Sequence, residues 1–327
     1  MAQITALTDV TGLVRSELDE VNRIVEEALA PEAPELQALL GHVGGYRGKQ
    51  LRPAMLLLVA KALDGLEETH LWAAAIVEMI HTSTLVHDDI LDGALIRRKL
   101  ASLNAVSGPE VSVLVGDYIY AQAFHLSVGL RDQRCSRLLS RVTRVVCQGE
   151  ITQMLHRYDM QLSEEQYLRV IGEKTAILYG ASSELGAIYA EASPEIVELF
   201  SGFGYELGLA FQIIDDCLDV EGDEKVVGKS LGTDFGKGKL TLPFLHLLSQ
   251  LDSAERKRFL EIFEDKKIPD RQGALLAEFD LKPGLSYAHE KADSFLRAAL
   301  RRLDGLPRND YVEALRMMAD FVLHRRN

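Results

Sequence analysis

The chain carries one acidic pattern twice. Asp88-Asp89-Ile90-Leu91-Asp92 is the first copy and Asp215-Asp216-Cys217-Leu218-Asp219 is the second. Each follows an apolar run, Thr84-Leu85-Val86 in one case and Phe211-Gln212-Ile213-Ile214 in the other. Residues four apart share one face of an α-helix, so Asp88 projects with Asp92 and Asp215 with Asp219. Carboxylates in apolar surroundings are costly unless cations neutralise them. A hard divalent ion with an all-oxygen shell, magnesium above all, meets that need. One such cluster reads as a solvated helix end; two with apolar flanks read as the walls of an acidic cleft.

Basic residues stand near both clusters. Gly48-Lys49-Gln50-Leu51-Arg52-Pro53 opens a helix, whose free N–H groups, with Lys49 and Arg52, suit an anion. Arg97-Arg98 lies just past the first cluster, and guanidinium suits bidentate phosphate contacts. Lys174-Thr175 sits within an apolar helical stretch. Val220 to Leu242 is rich in glycine and carries Lys225, Lys229, Lys237 and Lys239, a basic loop able to close over a polyanion. Alone, each of these reads as an ordinary solvated turn or face. His81, about two turns before Asp88, is either a phosphate donor or a hydrogen-bonded core histidine. Glu78-x-x-His81 lacks the second motif on another helix that a di-iron bundle requires.

Helical periodicity dominates the elements that must hold these groups. It predicts helices over 13–29, 52–63, 71–92, 111–130, 136–158, 164–190, 194–220, 242–263, 285–303 and 310–324, with 101–110 a loop punctuated by Gly108-Pro109. Strand-like alternation is nearly absent, so the expected architecture is all-α, one large helical bundle over residues 1–327. The 36 basic and 49 acidic residues leave a net charge of −13, which argues against nucleic acid as a partner. Cys135, Cys147 and Cys217 form neither a C-x-x-C pair nor a disulfide framework, and no signal peptide is read, so a cytoplasmic protein is expected. No apolar run approaches a membrane span.

These phrases, in this order, resemble the trans-isoprenyl diphosphate synthases, or polyprenyl synthetases. Gly48-Lys49, Arg52-Pro53, His87-Asp88-Asp89, Asp92, Arg97-Arg98, Val115-Gly116-Asp117, Gly149-Glu150, Gln153, Lys174-Thr175, Phe211-Gln212, Asp215-Asp216, Asp219, Gly228-Lys229 and Gly238-Lys239 carry the resemblance. It runs from about Gly41 to the C-terminus and is strongest to bacterial long-chain, octaprenyl-type members. The resemblance implies the isoprenoid-synthase bundle with a central active-site cavity, and Mg²⁺-dependent addition of isopentenyl diphosphate to an allylic diphosphate such as farnesyl or geranyl diphosphate. It implies about three Mg²⁺ ions on Asp88, Asp89, Asp92, Asp215 and Asp219, with Asp216 in the same cluster. Arg97, Lys174, Thr175, Gln212, Lys229 and Lys239 would bind the allylic diphosphate. Lys49, Arg52, His81 and Arg98 would bind isopentenyl diphosphate. A homodimer is expected on the same ground, with room for transient membrane docking at product release. The alternatives are a short-chain synthase, a terpene cyclase or head-to-head condensing enzyme, and a non-catalytic subunit of a heteromeric synthase. The chain departs from the family pattern at Arg47, where glycine is usual, at Gln50, where a basic residue is usual, and at Lys99-Leu100-Ala101-Ser102, where the first position is usually glycine.

Short-chain members hold bulky aromatics just before the first aspartate, as a floor to the hydrocarbon tunnel. Ser83 and Thr84 stand there in this chain, so the resemblance implies a long product. Ile80 and Val77 continue the wall one turn deeper, and Phe124 is the candidate for the next floor. Ser83→Phe is expected to shorten the product; chromatography showing unchanged length would contradict the tunnel assignment.

Overall fold

The structure, a computed structural model, describes residues 7–31, 33–221 and 232–323. Its helices are α1 (Leu7–Gly12), α2 (Arg15–Ala28), α3 (Pro34–Gly44), α4 (Leu51–Ala62), α5 (Glu68–Leu91), α6 (Leu103–Gly129), α7 (Arg134–Leu155), α8 (Glu164–Ile171), α9 (Ile177–Tyr189) and α10 (Pro194–Glu221). After the segment outside the described residues come α11 (Thr233–Gly236), α12 (Leu242–Gln250), α13 (Ser253–Glu264), α14 (Arg271–Glu278), α15 (Lys282–Arg302) and α16 (Asp310–Leu323). The all-α architecture read from periodicity is the one observed. The only strands among the described residues, β1 (Ile96–Arg97) and β2 (Leu100–Ala101), form a small antiparallel hairpin between α5 and α6.

Two central helices explain the layout. α4 is buried from Pro53 through Ala60, and α5 is apolar on most sides from Ala73 to Ile80. A helix apolar all round belongs in the interior, and other helices wrap both. α5 starts with a reciprocal cap, Glu67 and His70 exchanging side-chain and backbone hydrogen bonds. It ends at Leu91, with Asp92 as its C-cap, so the first acidic cluster occupies its last turn. The second cluster likewise occupies the last turns of α10.

Several boundaries differ from the sequence reading, each for a local reason. The 13–29 helix begins at Arg15, after the separate α1. The 101–110 loop is instead a helical turn capped by the Ser102 hydroxyl, broken at Gly108 (φ 79°) before Pro109. The 164–190 helix contains a wide π turn over Gly172–Ala176, which an even period cannot reveal. The 242–263 helix is two, because Asp252 caps a new start with Glu255. α14, only 8 residues long, is a further helix for which the sequence reading has no counterpart.

Close approaches set the register of the elements that bear the site. A β-carbon at Gly149 would meet the Lys174 backbone nitrogen at 2.7 Å, so glycine brings α7 against the π turn. At Gly208 it would meet Ala176 Cα at 2.6 Å, so glycine seats α10 on that same turn. Beyond α10, a second core of Phe235, Phe244, Phe259 and Phe263 packs with ring centroids 4.6 to 5.9 Å apart. It fixes α11 and the lysines that follow. Gly208→Val is expected to lower unfolding free energy by about 2 kcal/mol through overpacking, measured by urea denaturation; an unchanged midpoint would contradict this contact.

Candidate active site

Both acidic clusters sit where helix dipoles are least favourable to them. Carboxylates at a helix C-terminus face the partial negative charge of unpaired carbonyls. In the structure cations from other elements surround the first cluster. Lys239 Nζ lies 3.1 Å from Asp92 Oδ1, Arg157 Nη2 3.5 Å and Lys237 Nζ 3.6 Å. Burial pushes the Asp92 carboxyl up, but Lys239, Lys237 and Lys174 outweigh it and hold it below the usual range. Lys174 Nζ is 3.8 Å from Asp88, donates to Gln153 Oε1 at 3.1 Å and pairs with Glu150. Burial, then the nearby Glu150 and Asp92 charges, raise Asp88 despite Lys174.

Asp89, for which the resemblance implied a metal-ligand role, has a protein partner in this structure. Its side chain is 2% exposed, and Arg97 donates to both of its oxygens, from Nε at 2.9 Å and Nη2 at 2.6 Å. A metal ion would have to displace a bidentate guanidinium. Asp89 therefore anchors Arg97, and Arg97 is held by protein where the resemblance assigned it to a substrate. The β1–β2 hairpin turns Arg97 back onto α5. Its two corner residues, Arg98 (φ 50°) and Lys99 (φ 67°), are both left-handed, which explains why glycine is usual at the second.

On α10, Asp216 is buried and accepts from Tyr167 Oη at 2.6 Å and Gln212 Nε2 at 2.8 Å. Asp216 has no donor in its ionised form, so the Gln212 amide must turn its NH₂ toward it. Gln212 Oε1 then accepts from the Thr175 hydroxyl at 2.8 Å. Burial, with the Asp234 charge, pushes Asp216 up to about 7. Asp219 accepts from Thr233 Oγ1 at 3.3 Å and from the Asp234 N–H at 3.2 Å. Asp234 also pairs with Lys239 at 3.3 Å, so Asp92, Lys239, Asp234 and Asp219 link the two clusters. Asp215 is half-buried on the same helix end. Lys229 lies outside the described residues. The described half of the glycine-rich stretch is a short helix and a buried Lys239, 8% exposed, where the sequence suggested loop.

A second cationic recess lies beside the start of α4. Arg52 Nη1 is 3.0 Å from His81 Nε2, and its guanidinium lies 4.2 Å over the Tyr179 ring. Arginine cannot accept, so Nε2 is the acceptor and the His81 proton sits on Nδ1. Burial and the charges of Arg52, Arg98 and Arg97 press His81 well below its ordinary pKa. It is a neutral group that orients Arg52. Lys49 Nζ lies 4.8 Å over the Phe321 ring, and the Arg98 guanidinium lies against Gly48. The departures at Arg47 and Gln50 tie this loop to α2, through Glu26 and Asn22. Sequence reasoning gave no role to Tyr167, Asp234 or Arg157, and weighed Glu78, buried beside this recess, only as part of a di-iron motif.

Among the described residues no three ligating side chains converge to hold a metal alone. The donor set still fits magnesium, which is commonly bound by one or two carboxylates with substrate phosphate oxygens completing its shell. The chain-length residues are packed. Ser83 donates to the Gly116 carbonyl at 2.9 Å, Thr84 to the His81 carbonyl at 2.7 Å, Ile80 is buried and Phe124 stacks on Tyr120.

Comparisons with known proteins bear on the family and the fold. The family model described as Polyprenyl synthetase matches residues 33–276. Octaprenyl diphosphate synthase of Escherichia coli K12 is 32% identical over 319 residues, covering 98% of this chain and 99% of that protein. Geranylgeranyl diphosphate synthase of Sulfolobus acidocaldarius is 32% identical over 318 residues, covering 94% and 96%. The crystal structure of a Caulobacter crescentus polyprenyl synthase, complexed with calcium and isoprenyl diphosphate, superposes with a TM-score of 0.91 at 32% identity, covering all of both chains.

In chelator, the folded Asp216 carboxyl binds its proton more tightly than the unfolded one. The parent therefore loses stability as pH rises from about 4 to about 7, and this contribution is flat above. Asp216→Asn lacks that slope, so its stability relative to the parent is expected to rise across the window. Parallel stability curves from urea denaturation would contradict the assignment.

Proposed function

The chain belongs to the polyprenyl synthetase family and is a trans-type prenyl diphosphate synthase, a prenyltransferase; from that premise we propose that it builds a long all-trans polyprenyl diphosphate. The proposed substrates are isopentenyl diphosphate and an allylic primer, farnesyl or geranyl diphosphate. One observation carries the reading: the two anion recesses are unlike. One combines carboxylates with lysines, as an ionising diphosphate held with metal requires. The other offers Lys49, Arg52 and Arg98, as a diphosphate that stays bonded to its carbon requires. A cyclase has no use for the second.

Asp88, Asp92, Asp215 and Asp219 are the proposed magnesium ligands, with Asp89 and Asp216 supporting them through Arg97 and Gln212. Bound magnesium would neutralise charge growing on the departing diphosphate. Lys174 and Lys239 aim further positive charge at the same oxygens. The allylic carbon–oxygen bond breaks, and its electron pair leaves with diphosphate. The double bond of isopentenyl diphosphate, positioned by Arg52 and Arg98, attacks the resulting allylic cation. Loss of a proton, for which released diphosphate is the nearest base, restores a neutral chain. No protein nucleophile is needed.

A second copy is proposed to cover the exposed apolar row of Val106, Val113 and Leu114 on α6 with Ile151 and Leu155 on α7, the last 79% exposed. No described helix is long and apolar enough to cross a membrane. Small Ser83 and Thr84 support a long product. The second reading, a short product, is favoured by the full packing of Val77, Met79 and Ile80 along the proposed wall. Mass spectrometry of products from farnesyl and isopentenyl diphosphates with magnesium separates them. The expected result is a series ending beyond geranylgeranyl diphosphate, abolished by chelation; termination at geranylgeranyl diphosphate would establish the short-chain reading, and a cyclised hydrocarbon would overturn the condensation.

A further inference from the structure

Arg157 follows the last turn of α7, two residues past Leu155. Its Nη2 lies 3.5 Å from Asp92 Oδ1. Its Nε and Nη2 are both shielded from solvent and make no hydrogen bond. Buried guanidinium nitrogens without acceptors are costly, so this arrangement calls for a reason.

The neighbouring backbone aims the side chain. Tyr158 is left-handed (φ 64°), an uncommon conformation for a bulky residue. Its N–H donates to the Gly238 carbonyl at 2.7 Å. The end of α7 is thereby fastened to the segment that bears Lys237 and Lys239. One oxygen of Asp92 consequently faces Lys239, Arg157 and Lys237 at 3.1, 3.5 and 3.6 Å. Lys239 also has Asp234 at 3.3 Å, but magnesium on Asp92 would take that carboxylate from Arg157 and Lys237. A diphosphate oxygen among them supplies the missing acceptors, and the planar fork of arginine suits it.

We propose that Arg157 is a further ligand of the allylic diphosphate, acting with Lys237 and Lys239. This rests on the allylic site proposed above. The bond-breaking step is unchanged; Arg157 adds positive charge at the departing group and touches no carbon.

The test is calorimetric titration of the full-length protein in magnesium with farnesyl S-thiolodiphosphate, an allylic analogue slow to ionise, and separately with isopentenyl diphosphate. Arg157→Gln is expected to weaken the analogue by about tenfold or more, while isopentenyl diphosphate stays within about twofold. Arg157→Lys, which keeps the charge and loses the fork, is expected between parent and Gln variant. Parent-like analogue binding by the Gln variant overturns the proposal. So does an equal loss for both ligands, which would mark a structural role. If the Gln variant fails to fold, the Lys variant decides, and parent-like affinity in it overturns the proposal. If the parent binds isopentenyl diphosphate but not the analogue, the allylic-site reading itself has failed.

Discussion

Negative charge gathered at the negative ends of two helices is the constraint on which this structure depends. Asp88 and Asp89 fill the last turn of α5, with Asp92 as its cap, and Asp215, Asp216 and Asp219 fill the last turns of α10. Helix dipoles oppose that placement, and burial opposes it more. At the end of α5 the fold answers with cations drawn from distant parts of the chain: Arg97 from the hairpin, Lys174 from the π turn, Arg157 from the end of α7, and Lys237 and Lys239 from beyond α10. Gly149 and Gly208 let α7 and α10 approach the π turn, and the aromatic second core holds the lysine segment. Each device serves the same local electrostatic need.

That balance also underlies the diphosphate site proposed above. In that proposal the carboxylates and lysines that neutralise one another within the protein would instead engage magnesium and phosphate, whose opposite charges partly offset each other. The recess around Arg52 and Arg98 is built differently. There a neutral His81 and a Tyr179 ring orient arginine, and burial raises the nearby Glu78 carboxyl although Arg52, Arg98 and Arg47 oppose it. The two recesses therefore differ in their electrostatics.

Much of this was legible in the sequence, because helical spacing places Asp88 with Asp92 and Asp215 with Asp219 without further information. The long helices were legible for the same reason. The hairpin was not, since its corner uses Arg98 and Lys99 where turn chemistry leads one to expect Asn or Gly. The π turn was hidden because one extra residue per turn leaves no trace in a short apolar pattern. Pairings across the site were hidden too. Nothing in the order of residues says that Asp89 belongs to Arg97, that His81 accepts from Arg52, or that Arg157 reaches Asp92. Those are products of packing, and they set Asp89, held by a guanidinium at both oxygens, apart from Asp88 and Asp92, which face lysines.

Anomalous diffraction from crystals of the full chain, grown with manganese and farnesyl S-thiolodiphosphate, tests the exchange of partners most directly. The account predicts metal bonded to carboxylates of both α5 and α10, Arg97 still on Asp89, and Lys239 moved from Asp92 to a phosphate oxygen. Analogue bound with no metal on either helix, and Lys239 still paired with Asp92, would contradict it.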